Sequence, residues 1–189
     1  IKDVIKYFKS VVLFKKKYED FSPRCKYLYT YLSFKHSKQI NFFSERITFP
    51  TENKNDSDIQ KVFSRLKSEN KVVLKCDIEG DEYKIIDEIL NYSERIEMLI
   101  FEFHSLRNNE DIFFTKIKKL IDKFNIIHLH GNNHDGIHLS GLPETIEITM
   151  INKKYSLKNS NLTTSFPLEN LDFPNNPNVK DLKFYFNIN

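Results

Sequence analysis

Glycine is scarce in this chain, and its scarcity excludes the usual loop for holding a nucleotide. The 189 residues contain four glycines, and the first of them is Gly80. Loops that cradle phosphates need clustered glycines, because backbone N–H groups must approach the ligand closely. The first 79 residues therefore contain no such loop.

Cysteines and long apolar runs are also few. Two cysteines, Cys25 and Cys76, cannot build a disulfide framework, which favours a reducing compartment. No apolar run approaches the ~20 residues that cross a bilayer, and the first residues do not have the pattern of a cleaved signal peptide. We therefore predict a cytoplasmic protein without a transmembrane segment.

The charge is unevenly distributed. The net charge is +3, but residues 1–17 hold six lysines and one aspartate, so the remainder of the chain carries −2. A nucleic-acid-binding domain has its basic stripe on the folded body. Nucleic acid is thus not an expected partner.

Two regions differ in their patterning. Residues 1–14 have the spacing of an amphipathic helix, which could pack on protein or touch an anionic membrane surface. Residues 15–38 are rich in lysine and tyrosine, and the alternating Tyr27, Tyr29 and Tyr31 fit a strand or a surface that contacts a partner. We predict a helical or irregular N-terminal segment over 1–38 and one α/β domain over 39–189.

From residue 39 onward, strands and helices alternate. A strand–helix–strand–helix–strand order over 71–130 predicts a parallel sheet with right-handed crossovers. Residues 131–143 contain no helix, so the strand that follows should pair antiparallel. The strand at 71–78 should be buried on both faces. The expected strands are 39–49, 71–78, 96–104, 125–130 and 144–153, with an edge strand possible at 182–188, and the expected helices are 57–68 (capped by Ser57 or Asp56), 81–92 and 109–124.

Ionisable pairs follow the three central strands. Ligands bind beyond the carboxyl ends of such strands, and residues two apart face the same way, so the pairs should converge where strands are neighbours. Two carboxylates about 4 Å apart repel by roughly 4 kcal/mol at an effective dielectric of about 20. A histidine cation, a metal, a shared proton or a substrate must offset that repulsion. The pairs are Asp77 with Glu79, Glu102 with His104, and His128 with His130.

Each pair also has a structural explanation. The acids of the first pair could cap the next helix, although Asp81 or Glu82 could do so instead. The second pair could be an ion pair across the sheet, and the third could face solvent. Asn132 and Asn133 could bind a ligand or simply form a turn, and Glu147 could face the site from the last strand.

One segment carries a family resemblance. LKCDIEGDEY (74–83) resembles the K-x-D-x-E-G-x-E signature of FkbM-type methyltransferases, and FEFH (101–104) is similar to the family's E-x-H strand end. The resemblance covers about residues 70–177. Its other parts are HLHGNN (128–133), LPE (142–144), EIT (147–149) and LDFP (171–174).

The resemblance implies a fold and a reaction. The fold is α/β, with a Rossmann-like class I methyltransferase sheet that is mostly parallel and has an antiparallel last strand. The methyl donor is S-adenosylmethionine, and the acceptor is a hydroxyl on a sugar, glycan or related small metabolite. In that fold the first half of the sheet holds the donor. This chain has too few residues before 71 for that half, so we expect it to be incomplete and assign no residue to the donor.

The strand-end pairs then acquire roles. His104 is the expected general base, oriented by Glu102 or Asp77, because an alcohol must lose its proton as it attacks. A divalent metal on Asp77, Glu79 and His104 could instead lower the pKa of the hydroxyl. The residues expected to contact the acceptor are Glu79, His130, Asn132 and Asn133.

Two other functions remain open. The same acids and histidines could form a metal-dependent hydrolase. The chain could also be a degenerate methyltransferase-fold interaction module without activity, in which the tyrosine-rich N-terminal segment packs on a partner and the protein forms a homo-oligomer.

Overall fold

The computed structural model describes residues 23–134, 136–137, 141–155 and 165–185. The chain divides into two compact units, residues 1–44 and 45–189. The predicted helix at 1–14 lies outside the described residues, and the predicted domain boundary at residue 38 stays a prediction.

The described part of the first unit contains one helix, α1 (Pro23–Lys35). The strand considered for Tyr27, Tyr29 and Tyr31 is therefore wrong, because all three lie within this helix. No residue of α1 is buried, and Tyr27 is 75% exposed. The apolar rings are thus spread around the helix instead of forming one buried stripe.

The second unit is built on a four-stranded sheet. In spatial order its strands are β3 (Val72–Cys76), β4 (Ile96–Phe103), β6 (Ile146–Asn152) and β5 (Phe124–Gly131). β3 and β4 pair parallel, and β6 pairs antiparallel with both β4 and β5, so three strands run one way and the last runs back between two of them. This confirms the predicted mixed α/β class and the reversed last strand.

Two helices cover one face of this sheet. α3 (Glu82–Asn91) and α4 (Leu106–Ile121) pack on each other, on β4 and on β5. Apolar residues at helical spacing on α3 meet alternate residues of β4, because helices repeat every 3.6 residues and strands every two. Burying each such side chain contributes roughly 1.5–3 kcal/mol. The residues at this contact include Ile85, Ile86, Ile89, Leu99, Phe101 and Phe103.

β3 is packed on one face only. Cys76 is buried and Leu74 packs against the core, but Val73 is 60% exposed and Lys75 is also exposed. Because side chains alternate between the two faces of a strand, the face that holds Val73 and Lys75 is open to solvent. The prediction that 71–78 is buried on both faces is therefore wrong.

The predicted strand at 39–49 is wrong in extent. Within this range only Arg46–Ile47 form a strand, β1, which pairs parallel with β2 (Asp56–Ser57). The Asp56 carboxylate accepts the N–H groups of Glu52 and Asn53, each at 2.9 Å, and so closes the intervening loop. The longer strand fails because nothing in the described residues continues the pairing toward residue 39.

The helix predicted at 57–68 is shorter, since α2 spans Ile59–Ser64. Its cap is Asp58, which accepts the N–H of Lys61 at 2.7 Å. Ser57 is not the cap, because its hydroxyl donates to Glu45 at 2.6 Å.

The helix predicted from residue 109 begins at Leu106. Ser105, with a φ of 56°, precedes the helix, and the helix is kinked at Asn109 (φ −126°, ψ 16°). The predicted start therefore falls at the kink, and three further helical residues lie before it.

The predicted edge strand at 182–188 lies partly within the described residues. Phe184–Tyr185 form β8, which pairs antiparallel with β7 (Ser165–Phe166) and not with the main sheet. Within the part of the chain described, no helix has both the length and the apolar character needed to span a bilayer.

Candidate active site

The turn after β3 places two carboxylates at the carboxyl end of the sheet. It contains Asp77 and Glu79, and it closes at Gly80, with φ values of 58° at Glu79 and 109° at Gly80. Glycine adopts this left-handed region freely, whereas a glutamate rarely does. The conformation turns the chain back, so that Oε2 of Glu79 lies 3.7 Å from Nε2 of His104.

His104 lies where β4 ends beside this turn. Its Nε2 is 4.0 Å from Oδ1 of Asp77 and 3.9 Å from Oε1 of Glu102. The parallel pairing of β3 with β4, in which Cys76 is opposite Phe101, brings the two carboxyl ends together. The convergence predicted for these two strands is therefore present in the structure.

His104, Glu102 and Asp77 are each held by a further side chain. Such outer contacts orient metal ligands and catalytic groups, and they reduce the entropy lost on binding. Nδ1 of His104 is 3.1 Å from Oε1 of Glu82, Nδ2 of Asn132 donates to Glu102 at 3.0 Å, and Nζ of Lys75 donates to Asp77 at 3.1 Å.

Burial makes the Glu102 carboxylate harder to ionise. Burial, and then the Asp77 and Glu147 carboxylates, raise the pKa of Glu102 above its ordinary value, although the Asn132 amide and His104 act in the other direction. Negative charge in this cluster therefore needs a cation beside it, either an imidazolium or a metal ion.

The cluster has the composition of a divalent-cation site. One ligand atom each from Asp77, Glu102 and His104 lies within 4.8 Å of the others. Carboxylate oxygen and imidazole nitrogen together suit ions such as Zn²⁺ and Mn²⁺. The set differs from the predicted one, since Glu102 takes the place of Glu79, whose side chain is 85% exposed.

The third predicted pair, His128 with His130, lies on β5, and β6 separates β5 from β4 and its His104. Buried His130 has Nδ1 3.7 Å from Oε2 of Glu147 and Nε2 3.2 Å from Oδ2 of Asp181. The ion pair with Glu147 and the hydrogen bond with Asp181 outweigh burial and raise the pKa of His130 to about 9. Its charge in turn lowers the pKa of Glu147. His130 is therefore a cation at neutral pH, and its predicted contact with the acceptor stays a prediction.

His128 is bound to the C-terminal segment (residues 165–185) and does not point freely into solvent. Its Nε2 lies 2.8 Å from Oδ1 of Asp172, whose other oxygen accepts the N–H of Leu168 at 2.6 Å. A cavity of about 510 Å³ adjoins these contacts, and Asp172, Asp181, Phe166 and Lys183 line part of it.

The two predicted asparagines have different surroundings. Asn132 donates to Glu102 and so belongs to the His104 cluster. Asn133 is buried and binds the C-terminal segment instead, donating to the carbonyls of Asn176 and Val179 at 3.0 and 2.9 Å.

Sequence reasoning gave Glu82 no role beyond a possible helix cap. Its side chain is fully buried beside His104. The signal that could have identified it is the last acid of the K-x-D-x-E-G-x-E spacing, which falls at Glu82.

No family model, no curated protein and no solved structure matches this chain.

Proposed function

We propose that this chain carries the acceptor-activating site of an S-adenosylmethionine-dependent O-methyltransferase that acts on a hydroxyl of a sugar or related metabolite. The observation that carries the proposal is the position of His104. Its Nε2 faces Asp77, Glu79 and Glu102 at 3.7–4.0 Å at the carboxyl end of two parallel strands.

The geometry suits removal of a proton from an alcohol. An alcohol attacks well only if a base takes its proton as the new bond forms. Nε2 of His104 is the ring atom available for this step, because Nδ1 is engaged by Glu82. Alternatively, a divalent cation held by Asp77, Glu102 and His104 would occupy the Nε2 lone pair and would supply Lewis acidity toward the hydroxyl in place of the base.

Three of the segments that carry the resemblance contribute residues to one place. The signature at 74–83 supplies Lys75, Asp77 and Glu82, the FEFH segment supplies Glu102 and His104, and the late loop supplies Asn132. Residues so far apart in sequence have no local reason to lie together. The reversed last strand also agrees with the sheet that the resemblance implies.

The donor is supported by the resemblance alone. The sequence has no glycine-rich loop to receive S-adenosylmethionine, and no described residue is assigned to it. The surroundings of His104 support acceptor activation, and the motif resemblance supports the methyl donor.

Calorimetry on this chain tests the two parts separately. We expect Zn²⁺ or Mn²⁺ to bind wild-type protein, and His104→Ala and Asp77→Asn to weaken that binding at least tenfold. His36→Ala, which removes an exposed histidine, is the matched control. S-adenosylmethionine binding, followed by methylation of a sugar panel, tests the reaction. Cation binding without donor binding or product would contradict methyl transfer.

A metal-dependent hydrolase is the second candidate, because two acids and an imidazole at a sheet edge can also activate water. Metal-dependent turnover of phosphate or carboxylic esters without a methyl donor would favour it. His104→Ala should then abolish that turnover while His36→Ala retains it.

An inactive interaction module is the third candidate. The exposed aromatic residues of α1, such as Phe34 at 54% exposure, favour contact with a partner or with a second copy. A stable oligomer that binds neither cation nor donor would support this function.

A further inference from the structure

Glu82 is a fully buried acid, with a side chain that is 0% exposed. Acids are almost never completely buried unless they are paired. Removing an ionised carboxylate from water costs several kcal/mol, and hydrogen bonds to its oxygens must offset that cost. The partners of Glu82 should therefore reveal why the acid is there.

The Glu82 carboxylate binds both sides of the site. Oε1 accepts the backbone N–H of Ile78 at 3.0 Å, and the N–H of Gly80 reaches Oε1 at 3.2 Å and Oε2 at 3.0 Å. The same Oε1 lies 3.1 Å from Nδ1 of His104. One side chain thus closes the turn that presents Asp77 and Glu79, and it also holds the imidazole.

These contacts determine which ring nitrogen carries a fixed proton. Backbone N–H groups can only donate, so the oxygens of Glu82 act as acceptors for Ile78 and Gly80. A ring nitrogen that approaches the same oxygen must also donate. Nδ1 of His104 therefore bears hydrogen, and in a neutral ring the lone pair is then on Nε2.

We propose that Glu82 is a positioning residue that keeps the proton on Nδ1 of His104, so that proton exchange and cation binding occur only at Nε2. Nε2 faces Asp77, Glu79 and Glu102, whereas Nδ1 faces the buried side. The consequence for the acceptor rests on the proposed function, but the assignment of the proton does not.

The neighbouring acid does not duplicate this role. Asp81 makes no capping hydrogen bond to α3, and its carboxylate pairs with Arg46 and Lys84 at 2.6 and 2.7 Å. In Glu82→Gln one acceptor oxygen becomes an NH₂ group. At the Oε1 position it would oppose the N–H groups of Ile78 and Gly80 and the Nδ1 of His104, and at the Oε2 position it would oppose the N–H of Gly80. Glu88→Gln makes the same chemical change on the same helix, at an acid whose hydrogen bond goes to the N–H of Ile59.

The test is nitrogen NMR of the full chain labelled with ¹⁵N-histidine, with His104 assigned through His104→Gln. In wild type we expect the Nδ1-protonated pattern in the neutral ring, and on addition of Zn²⁺ we expect the Nε2 resonance to shift while Nδ1 keeps its proton. Glu82→Gln should alter the tautomer and weaken Zn²⁺ binding about 10–100-fold, whereas Glu88→Gln should change neither.

An Nε2-protonated neutral ring in wild type would overturn the proposal, and so would a Glu82→Gln variant in which both the tautomer and the Zn²⁺ affinity match wild type. The wild-type spectrum decides the first point even if the variant does not fold. None of these measurements uses a methyl donor or an acceptor. Absence of methyl transfer would therefore count against the proposed function and leave the proton assignment intact.

Discussion

At the scale of single residues, His104 has its two nitrogens in different surroundings. Nδ1 faces one buried carboxylate, while Nε2 faces three that solvent reaches to different degrees. This asymmetry distinguishes a histidine that works through one atom from a histidine that simply joins an ion pair. Glu79 and Glu102 add two further properties of the site, an unusual backbone conformation and an altered pKa.

Glu79→Gly should stabilise the protein by up to about 1 kcal/mol relative to Glu79→Ala, because only glycine adopts a φ of 58° without steric cost. Chemical denaturation measures both variants. Equal stability, or a more stable alanine variant, would contradict this explanation of the turn.

Cation affinity should fall as pH decreases through the raised pKa of Glu102, since the proton and the cation compete for one carboxylate. Asn132→Ala removes the amide that favours the ionised form, so the pH midpoint should move upward and affinity at neutral pH should fall about tenfold. Calorimetry across pH measures both effects. Asn178→Ala, at an exposed position, serves as the control, and an identical pH profile in the two variants would count against the assignment.

At the scale of elements, the parallel pairing of β3 with β4 creates the site. It aligns the turn after one strand with the end of the other, and α3 follows that turn directly. The packing of α3 on the sheet therefore holds both the core and the side chain of Glu82 in place. Loss of that packing should affect stability and cation binding together.

Ile86→Ala should lower the free energy of unfolding by about 2–5 kcal/mol, because Ile86 is 0% exposed and its removal leaves a cavity under α3. Lys84→Ala on the same helix removes an exposed ion-pair partner of Asp81 and should change stability by less than about 1 kcal/mol. Urea unfolding compares the two variants. Similar losses would show that α3 is not held by its apolar face.

At the scale of the whole second unit, the C-terminal segment is attached to β5 by polar contacts. His128 with Asp172, His130 with Asp181, and Asn133 with two carbonyls span the junction. The segment lacks long strands of its own among the described residues. Its attachment should therefore respond to pH more than the core does.

The His130 ion pairs should make stability depend on pH. The folded pKa of His130 is raised to about 9, above the unfolded value of about 6.5. The stabilisation is therefore complete below about pH 6.5 and is lost as pH rises through about 9. We expect a loss of about 3 kcal/mol over this range in wild type, and little of it in His130→Gln. Thermal unfolding at several pH values tests this, with His134→Gln as the exposed control, and parallel profiles for all three proteins would contradict it.

Local pattern sufficed for much of the fold. Ile85, Ile86 and Ile89 lie at helical spacing and Ile146, Ile148 and Met150 alternate, so a helix and a strand could be predicted with the correct buried faces. Two-residue strands such as β1 could not be predicted, because their pairing depends on a partner whose position no local pattern encodes.

The sequence by itself determined that acids and histidines would end the central strands, because period-two spacing places Asp77 and Glu79, or Glu102 and His104, on one face. Only the tertiary structure decided which pairs would meet. β6 lies between β4 and β5 and separates His130 from His104. Strand order is set by long-range packing and pairing, and for the same reason the burial of Glu82 against His104 became evident only in the folded chain.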